Sequence, residues 1–197
     1  ITWDPNTGFA GALDDLSMLK LASIAITTPP SKTAYKAGEV FNPAGMVVEA
    51  TYSNGATLVC TGYSVSPSGA LSAGMTSVTI QYTEGGVTKT ATQTISVTKT
   101  SVAIPSQSGS LTYTGSPQSP AWSNYNVTYM TIGGTTSGTN ADSYSAKFTL
   151  KDTSLYQWSD GMTAAKSVSW SIGKATGKIT LNKTSITLNA STKSATF

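Results

Sequence analysis

Hydrophobic and polar residues alternate most regularly between Ser77 and Val97, SVTIQYTEGGVTKTATQTISV. Val78, Ile80 and Tyr82 share one parity, with Thr79, Gln81 and Thr83 on the other. After Glu84-Gly85-Gly86, Val87, Ala91, Ile95 and Val97 take one parity and Thr88, Thr90, Thr92, Thr94 and Ser96 the opposite one. A period of two with a Thr-rich face suits a half-buried antiparallel strand. Paired glycines supply the positive φ of a tight turn, so the stretch predicts a β-hairpin. Lys89 and Gln93 fall on the inward parity, which predicts a bulge or a partly wet edge there. A lone hairpin is not stable in water, so a second sheet must cover its apolar face.

The rest of the chain supplies candidates for that sheet. Leu21 to Ile26 alternates weakly and is ended by Thr28-Pro29-Pro30, since proline cannot donate to a ladder. Thr33 to Glu39 predicts a short strand closed by a glycine turn, and Met46 to Tyr52 a longer one. Ser53-Asn54-Gly55 then predicts a hairpin turn into Ala56 to Val59, and Tyr63 to Ser66 a further strand. Short strands spaced by turns in this way predict a β-sandwich over 21–99. Thr100 to Gly109 is a Ser-rich joint. A second small sandwich is expected within 100–175, with strands at Leu111 to Tyr113, around Tyr129 to Ile132, at Tyr144 to Leu150 and at Ser167 to Ile172. Lys178 to Leu181 and Ser185 to Leu188 alternate again and open a third unit over 176–197. Residues 1–20 do not share the pattern and are read as the end of a preceding domain or a linker. The fold class expected is all-β, built of tandem sandwich modules.

Composition narrows the function. Charged residues make up 11% of the chain, and roughly a third of it is Ser or Thr, which suits solvated sheet faces. The net charge of +3 comes from lysine alone, scattered from Lys20 to Lys193, with no arginine. Nucleic-acid binding normally needs a basic stripe and bidentate arginines, so no nucleic-acid partner is expected. No segment approaches the run of roughly 18 apolar residues that reads as a membrane helix, so no membrane insertion is expected either. Cys60 is the single cysteine, which rules out an intrachain disulfide; following Leu58-Val59, it is expected to be a buried hydrophobe. The chain opens on Ile1 and stops within the third pattern, which predicts an excerpt of a longer protein whose neighbouring domains are its first partners.

The residues that carry a family resemblance lie in 21–99. Ile24-Ala25-Ile26, Pro30-x-Lys32-x-x-Tyr35-Lys36-x-Gly38-Glu39, Phe41, Gly45-Met46-Val47-Val48, Ala50-Thr51-Tyr52-x-x-Gly55 and Tyr82-x-Glu84-x-Gly86 occur in the order found in bacterial immunoglobulin-like domains, which this stretch resembles. The resemblance implies an Ig-like sandwich used as a spacer or display module, and it brings no catalytic residues. Over about 110–175, Tyr113-x-Gly115-x-x-Gln118, Gly138-Thr139-Asn140-Ala141-x-x-Tyr144, and Tyr156-x-Trp158-x-Asp160-Gly161 through Trp170-x-Ile172 resemble a small repeat of bacterial surface proteins and phage virion proteins. That repeat commonly has Gly where this chain has Asp142-Ser143. Residues 176–197 look like the start of another Ig-like unit. Gly11, Leu13, Asp14, Asp15 and Leu16 match the closing strand of laminin-G-like or jelly-roll carbohydrate-binding domains, and a plain linker remains the alternative reading. Together the resemblances imply a virion surface or a bacterial cell surface.

Candidate chemistry is sparse. The chain has no histidine, which removes the commonest general base and every Ser-His or Cys-His arrangement. Asp14 and Asp15 are adjacent and point to opposite faces of a strand. Asp142, Asp152 and Asp160 sit in expected turns, where Asp caps its own backbone. No calcium-loop spacing and no phosphate-loop lysine are present, so no catalytic residue, metal ligand or cofactor is expected. Aromatic residues crowd into the second unit. Trp170 alternates with Val168 and Ile172 and reads as core. Trp122, Tyr125 and Trp158 are the candidates for exposed rings that stack on sugars, which would make bacterial surface glycans, or other virion subunits, the partners.

Overall fold

The computed structural model describes residues 19–177, so the expectations for residues 1–18 and for the third unit from 178 onward lie outside the described residues. The fold is all-β. Strands β1 (Leu21–Thr28), β2 (Ala34–Lys36), β3 (Val47–Tyr52), β4 (Thr57–Val59), β5 (Ser64–Ser66), β6 (Ser77–Glu84), β7 (Val87–Thr94) and β8 (Ser96–Thr98) come first. They are followed by β9 (Thr100–Val102), β10 (Ser106–Ser108), β11 (Leu111–Thr112), β12 (Ala121–Ser123), β13 (Met130–Gly134), β14 (Ser143–Leu150), β15 (Tyr156–Trp158) and β16 (Lys166–Gly173). Among the described residues two compact units emerge: 19–103 together with Leu150–Ala164, and Ile104–Thr149 together with 165–177.

In the first unit, β1-β3-β4 and β5-β6-β7 form two three-stranded sheets, and the parallel pairs β2–β8 and β9–β15 form two further two-stranded sheets. The inward positions anticipated from the alternation close the core: Val48 and Ala50 on β3, Val78 and Ile80 on β6, then Ile95 and Val97, with Leu71 and Phe41 between them. The β6–β7 hairpin turns on Gly85 (φ 55°) and Gly86 (φ 77°), the doubly positive conformation that follows the twist of the flanking strands. At Tyr52–Gly55, Gly55 N–H donates to the Tyr52 carbonyl and Ala56 N–H to Asn54 Oδ1, closing the second expected hairpin.

Of the two alternatives expected at Lys89 and Gln93, a bulge or a partly wet edge, the second holds at Lys89 on the edge strand β7. No bulge interrupts β7, which pairs with β6 in unbroken register from Ser77↔Thr94 to Glu84↔Val87. Gln93 is instead accommodated whole: its side chain is buried and its amide donates to the Thr94 carbonyl at 2.7 Å, while Lys89 is half-buried. The bulge lies in β1, where Leu21 faces Tyr52 but Ser23 faces Thr51. The extra residue lets Leu21 and Ile24, an odd number of positions apart, both point inward, which explains the weak alternation of that strand. The expected continuous strand to Val97 also divides at Ile95, where the chain leaves β6 and β8 pairs with β2.

The residues of the Ig-like resemblance have structural work to do around the β2 turn. Tyr35 is buried beside Phe41, with ring centroids 6.0 Å apart, and its hydroxyl donates to the Lys32 carbonyl and accepts from Asn42 N–H. Lys32 lies over the Tyr35 ring and bonds Glu39 at 2.9 Å, while Glu39 also accepts from Lys36 N–H. These bonds draw the Glu39 carboxyl below its ordinary value, the Lys36 amide contributing most.

In the second unit the sheet runs β11-β16-β14-β13, flanked by the β10–β12 pair. Met130, Ala146, Phe148, Trp170 and Ile172 are buried. The stretch from Thr100 to Gly109, expected as a polar joint, carries β9 and β10 and buries Val102 and Pro105. Gln107 on β10 behaves as an extra strand residue: its amide donates to the Ser171 carbonyl and accepts from Ser171 N–H on β16.

The candidate aromatic face

The three rings singled out by sequence have different fates. Trp122 on β12 is half-buried, its ring packed edge-on against Phe148 with centroids 4.9 Å apart. Asn124 follows at φ 62°, a left-handed conformation that Asn tolerates, and the chain returns Tyr125 to the same Phe148 at 5.8 Å. Trp122 and Tyr125 therefore share one support, and each keeps part of its surface in solvent. Trp158 does not join them. It is 0% exposed, its indole N–H donates to the Ala164 carbonyl at 2.8 Å, and it offers no face to a sugar. The expectation fails because the turn that follows β15 packs against the ring instead of leaving it in solvent. The turn is there, with Gly161 N–H donating to the Trp158 carbonyl and Trp158 N–H to the Met162 carbonyl, but it folds over the indole.

Tyr144 and Trp170 stack at 4.5 Å with an interplanar angle of 23°, and Trp170 donates its indole N–H to the Thr135 carbonyl. Gly138 lies directly on Tyr144: a Cβ there would come within 2.3 Å of the phenol ring. The Tyr144 hydroxyl closes the loop by donating to the Asn140 carbonyl and accepting from Asn140 N–H. The spacing Gly138-x-Asn140-x-x-x-Tyr144 is thus a packing unit.

Beside this loop an open cavity of about 440 Å³ is lined by Tyr113, Asn140, Ala141, Lys174 and Ala175. Tyr113 is 42% exposed, the most accessible large ring among the described residues. Sequence reasoning placed Tyr113 in a strand and a motif and did not single it out; its signal was its position just beyond the short β11, where Tyr113 N–H bonds the Gly173 carbonyl.

Three aspartates among the described residues serve turns. Asp142, Asp152 and Asp160 each accept a backbone N–H one or two residues ahead, as expected for Asp in turns. Hydrogen bonds from Ser154 hold the Asp152 carboxyl below its ordinary value. Tyr52 donates to Glu84 at 2.6 Å, which pushes its phenol up to about 12, and Tyr82 donates to the same carboxylate. Cys60 is buried, and desolvation pushes its thiol up, away from the reactive thiolate. Among the described residues no group of three or more Cys, Asp or Glu side chains is placed to hold a metal ion.

Residues 28–99 match the family model of the bacterial Ig-like domain (group 3), the stretch in which the resemblance was read. No curated protein matches the chain.

Proposed function

With a bacterial Ig-like sandwich over residues 28–99 as the premise, we propose that the chain is a spacer and display segment of a phage virion protein or a bacterial surface protein. Ig-like modules of this kind are structural, generally non-enzymatic and commonly surface-associated. The observation that carries the reading is the use of the family's own residues: Lys32, Tyr35, Glu39 and Gly55 all close turns or pack the core. The polar Thr faces of β6 and β7 add solvated surface suited to weak contacts. The partners this reading implies are adjoining domains, virion subunits or cell-surface glycans. The test exchanges residues 21–99 in the parent protein for an unrelated sandwich of equal length. Attachment or assembly should survive the exchange and fail on outright deletion; loss on exchange would mean that this sequence makes a specific contact.

Saccharide binding is the second reading, favoured by the solvent-facing parts of Trp122 and Tyr125 and by the exposed Tyr113 at its cavity. Saturable binding on a glycan array, lost on Trp122→Ala or Tyr113→Ala, would promote it over the spacer reading.

A further inference from the structure

The second unit gathers an ammonium, an exposed ring and a side-chain amide around one opening. Strand β16 ends at Gly173, and Tyr113, just past β11, donates its N–H to the Gly173 carbonyl at 2.9 Å. That bond sets Tyr113 close to the next residue, Lys174, where the parallel β11–β16 ladder ends. The loop before β14 supplies Asn140 and Ala141 to the same opening, and Ala175 completes the lining.

The loop wall is held from behind. Asn140 N–H donates to the Tyr144 hydroxyl at 3.1 Å, and the Asn140 carbonyl accepts from it at 2.9 Å. Both backbone groups are thereby used, which leaves the side-chain amide for a ligand. The Tyr144 ring stacks on Trp170, whose indole N–H is bonded to the Thr135 carbonyl, and Gly138 abuts the same ring. The loop cannot retreat without breaking these contacts, so the opening exists before any ligand arrives and costs less to fill. Its volume of about 440 Å³ lies within the roughly 300–1,000 Å³ of small-molecule sites.

The lining selects the chemistry of the ligand. The exposed Tyr113 ring offers a flat apolar face of the kind on which a sugar ring stacks. The Asn140 amide can both donate to and accept from hydroxyls. Lys174 is exposed and forms no ion pair among the described residues, and its ammonium carries three donors. Among the described residues no carboxylate lines the opening, and the nearest acid in sequence, Asp142, is engaged by Ser143 N–H. The charge at the opening is therefore positive. A neutral sugar leaves that charge unanswered, and a bare anion leaves the Tyr113 face unused. A sugar ring that carries a carboxylate engages both.

We propose that this opening binds an acidic saccharide, a uronic-acid ring stacked on Tyr113 with its carboxylate on Lys174. The inference rests on the saccharide reading and names the class of sugar; the spacer reading does not depend on it. NMR titration of the full chain with glucuronate, glucose and inorganic phosphate tests it, read at the backbone amides of Asn140 and Ala141. At low salt glucuronate should bind about three- to fivefold more tightly than glucose, the gain expected of an exposed ion pair. The margin should shrink as salt rises. Lys174→Gln should erase the margin and leave glucose binding intact, whereas Lys174→Arg should keep it. Lys147→Gln, which removes an equal charge from β14, should keep it too. Tyr113→Ala should abolish binding of both sugars, and Tyr113→Phe, which retains the ring, should preserve it. Equal affinity for the two sugars, both lost in Tyr113→Ala, would overturn the acid preference and leave the saccharide reading standing. Phosphate binding as tight as that of glucuronate would reduce the site to a bare anion contact and overturn the proposal. No response at Asn140 and Ala141 to either sugar would overturn it as well, and the glycan array would then decide the saccharide reading on its own.

Discussion

In the first unit much of the interior between the sheets is closed by aliphatic side chains recurring at every second position, Val48 and Ala50 on β3 and Val78 and Ile80 on β6, with Tyr35, Phe41 and Trp158 buried besides. In the second, the strands bury few large aliphatic residues, and rings take their place: Trp170 under Tyr144, and Trp122 and Tyr125 against Phe148. Each aromatic ring buries about 150–250 Å², so a few of them substitute for many aliphatic positions. The consequence is a different distribution of risk. An aliphatic core built from many modest contributions tolerates trimming at one position, whereas a core resting on a few stacked rings depends on each ring and on the small residues that make room for it.

Substitutions at matched depth put that contrast under strain. Trp170→Ala removes the largest ring of the second unit's core and orphans the Thr135 carbonyl; it should cost about 3–5 kcal/mol, against about 0.5–1.5 kcal/mol for Ile80→Val in the first unit. Chemical denaturation of the full chain, followed by tryptophan fluorescence, measures both. Similar losses at the two sites would erase the distinction. Gly138→Ala, a change of one methyl, should still cost about 1–3 kcal/mol, because the added Cβ meets the Tyr144 ring, which is itself held at both faces and at its hydroxyl. A neutral result there would show that the ring can shift.

Gln107→Ala should be milder, about 1 kcal/mol, since water reaches the Ser171 backbone groups that the amide leaves behind. Hydrogen exchange should then rise first at Ser171. The smallest effect belongs to the first unit and to alkaline pH. Tyr52 donates to Glu84, so its folded value lies above the ordinary 10.0, and its contribution is whole below pH 10 and fades as pH rises through about 12. Its phenolate absorbance should appear near pH 12 and return toward 10 in Glu84→Gln. An unchanged titration would mean that the Tyr52–Glu84 bond does not persist in solution.

Long strands with one wet face were readable because burial on one side forces a period of two, and β3, β6, β7, β14 and β16 all fall where alternation placed them. Short strands were not. Strands β9, β10, β12 and β15 span three residues each, too few to establish a period. Trp158 shows the cost: one strand residue beside a turn reads as exposed, and only the ladder with β9 and the fold of 159–164 over the indole bury it.

The sequence by itself determined the all-β class, the hairpins at Ser53-Asn54-Gly55 and Glu84-Gly85-Gly86, and the Ig-like character of the first repeat, because turn chemistry and alternation are local. Tertiary structure alone decided the rest. Whether Gln93 would be bulged out or buried depended on finding a carbonyl, which Thr94 supplies. The departure of the chain from β6 at Ile95 depended on β2 being there to receive it, and the parallel ladders join residues some sixty positions apart. Parity along one strand fixes which side chains face inward; which strand lies alongside is fixed only when distant segments compete for the same hydrogen-bonding edge.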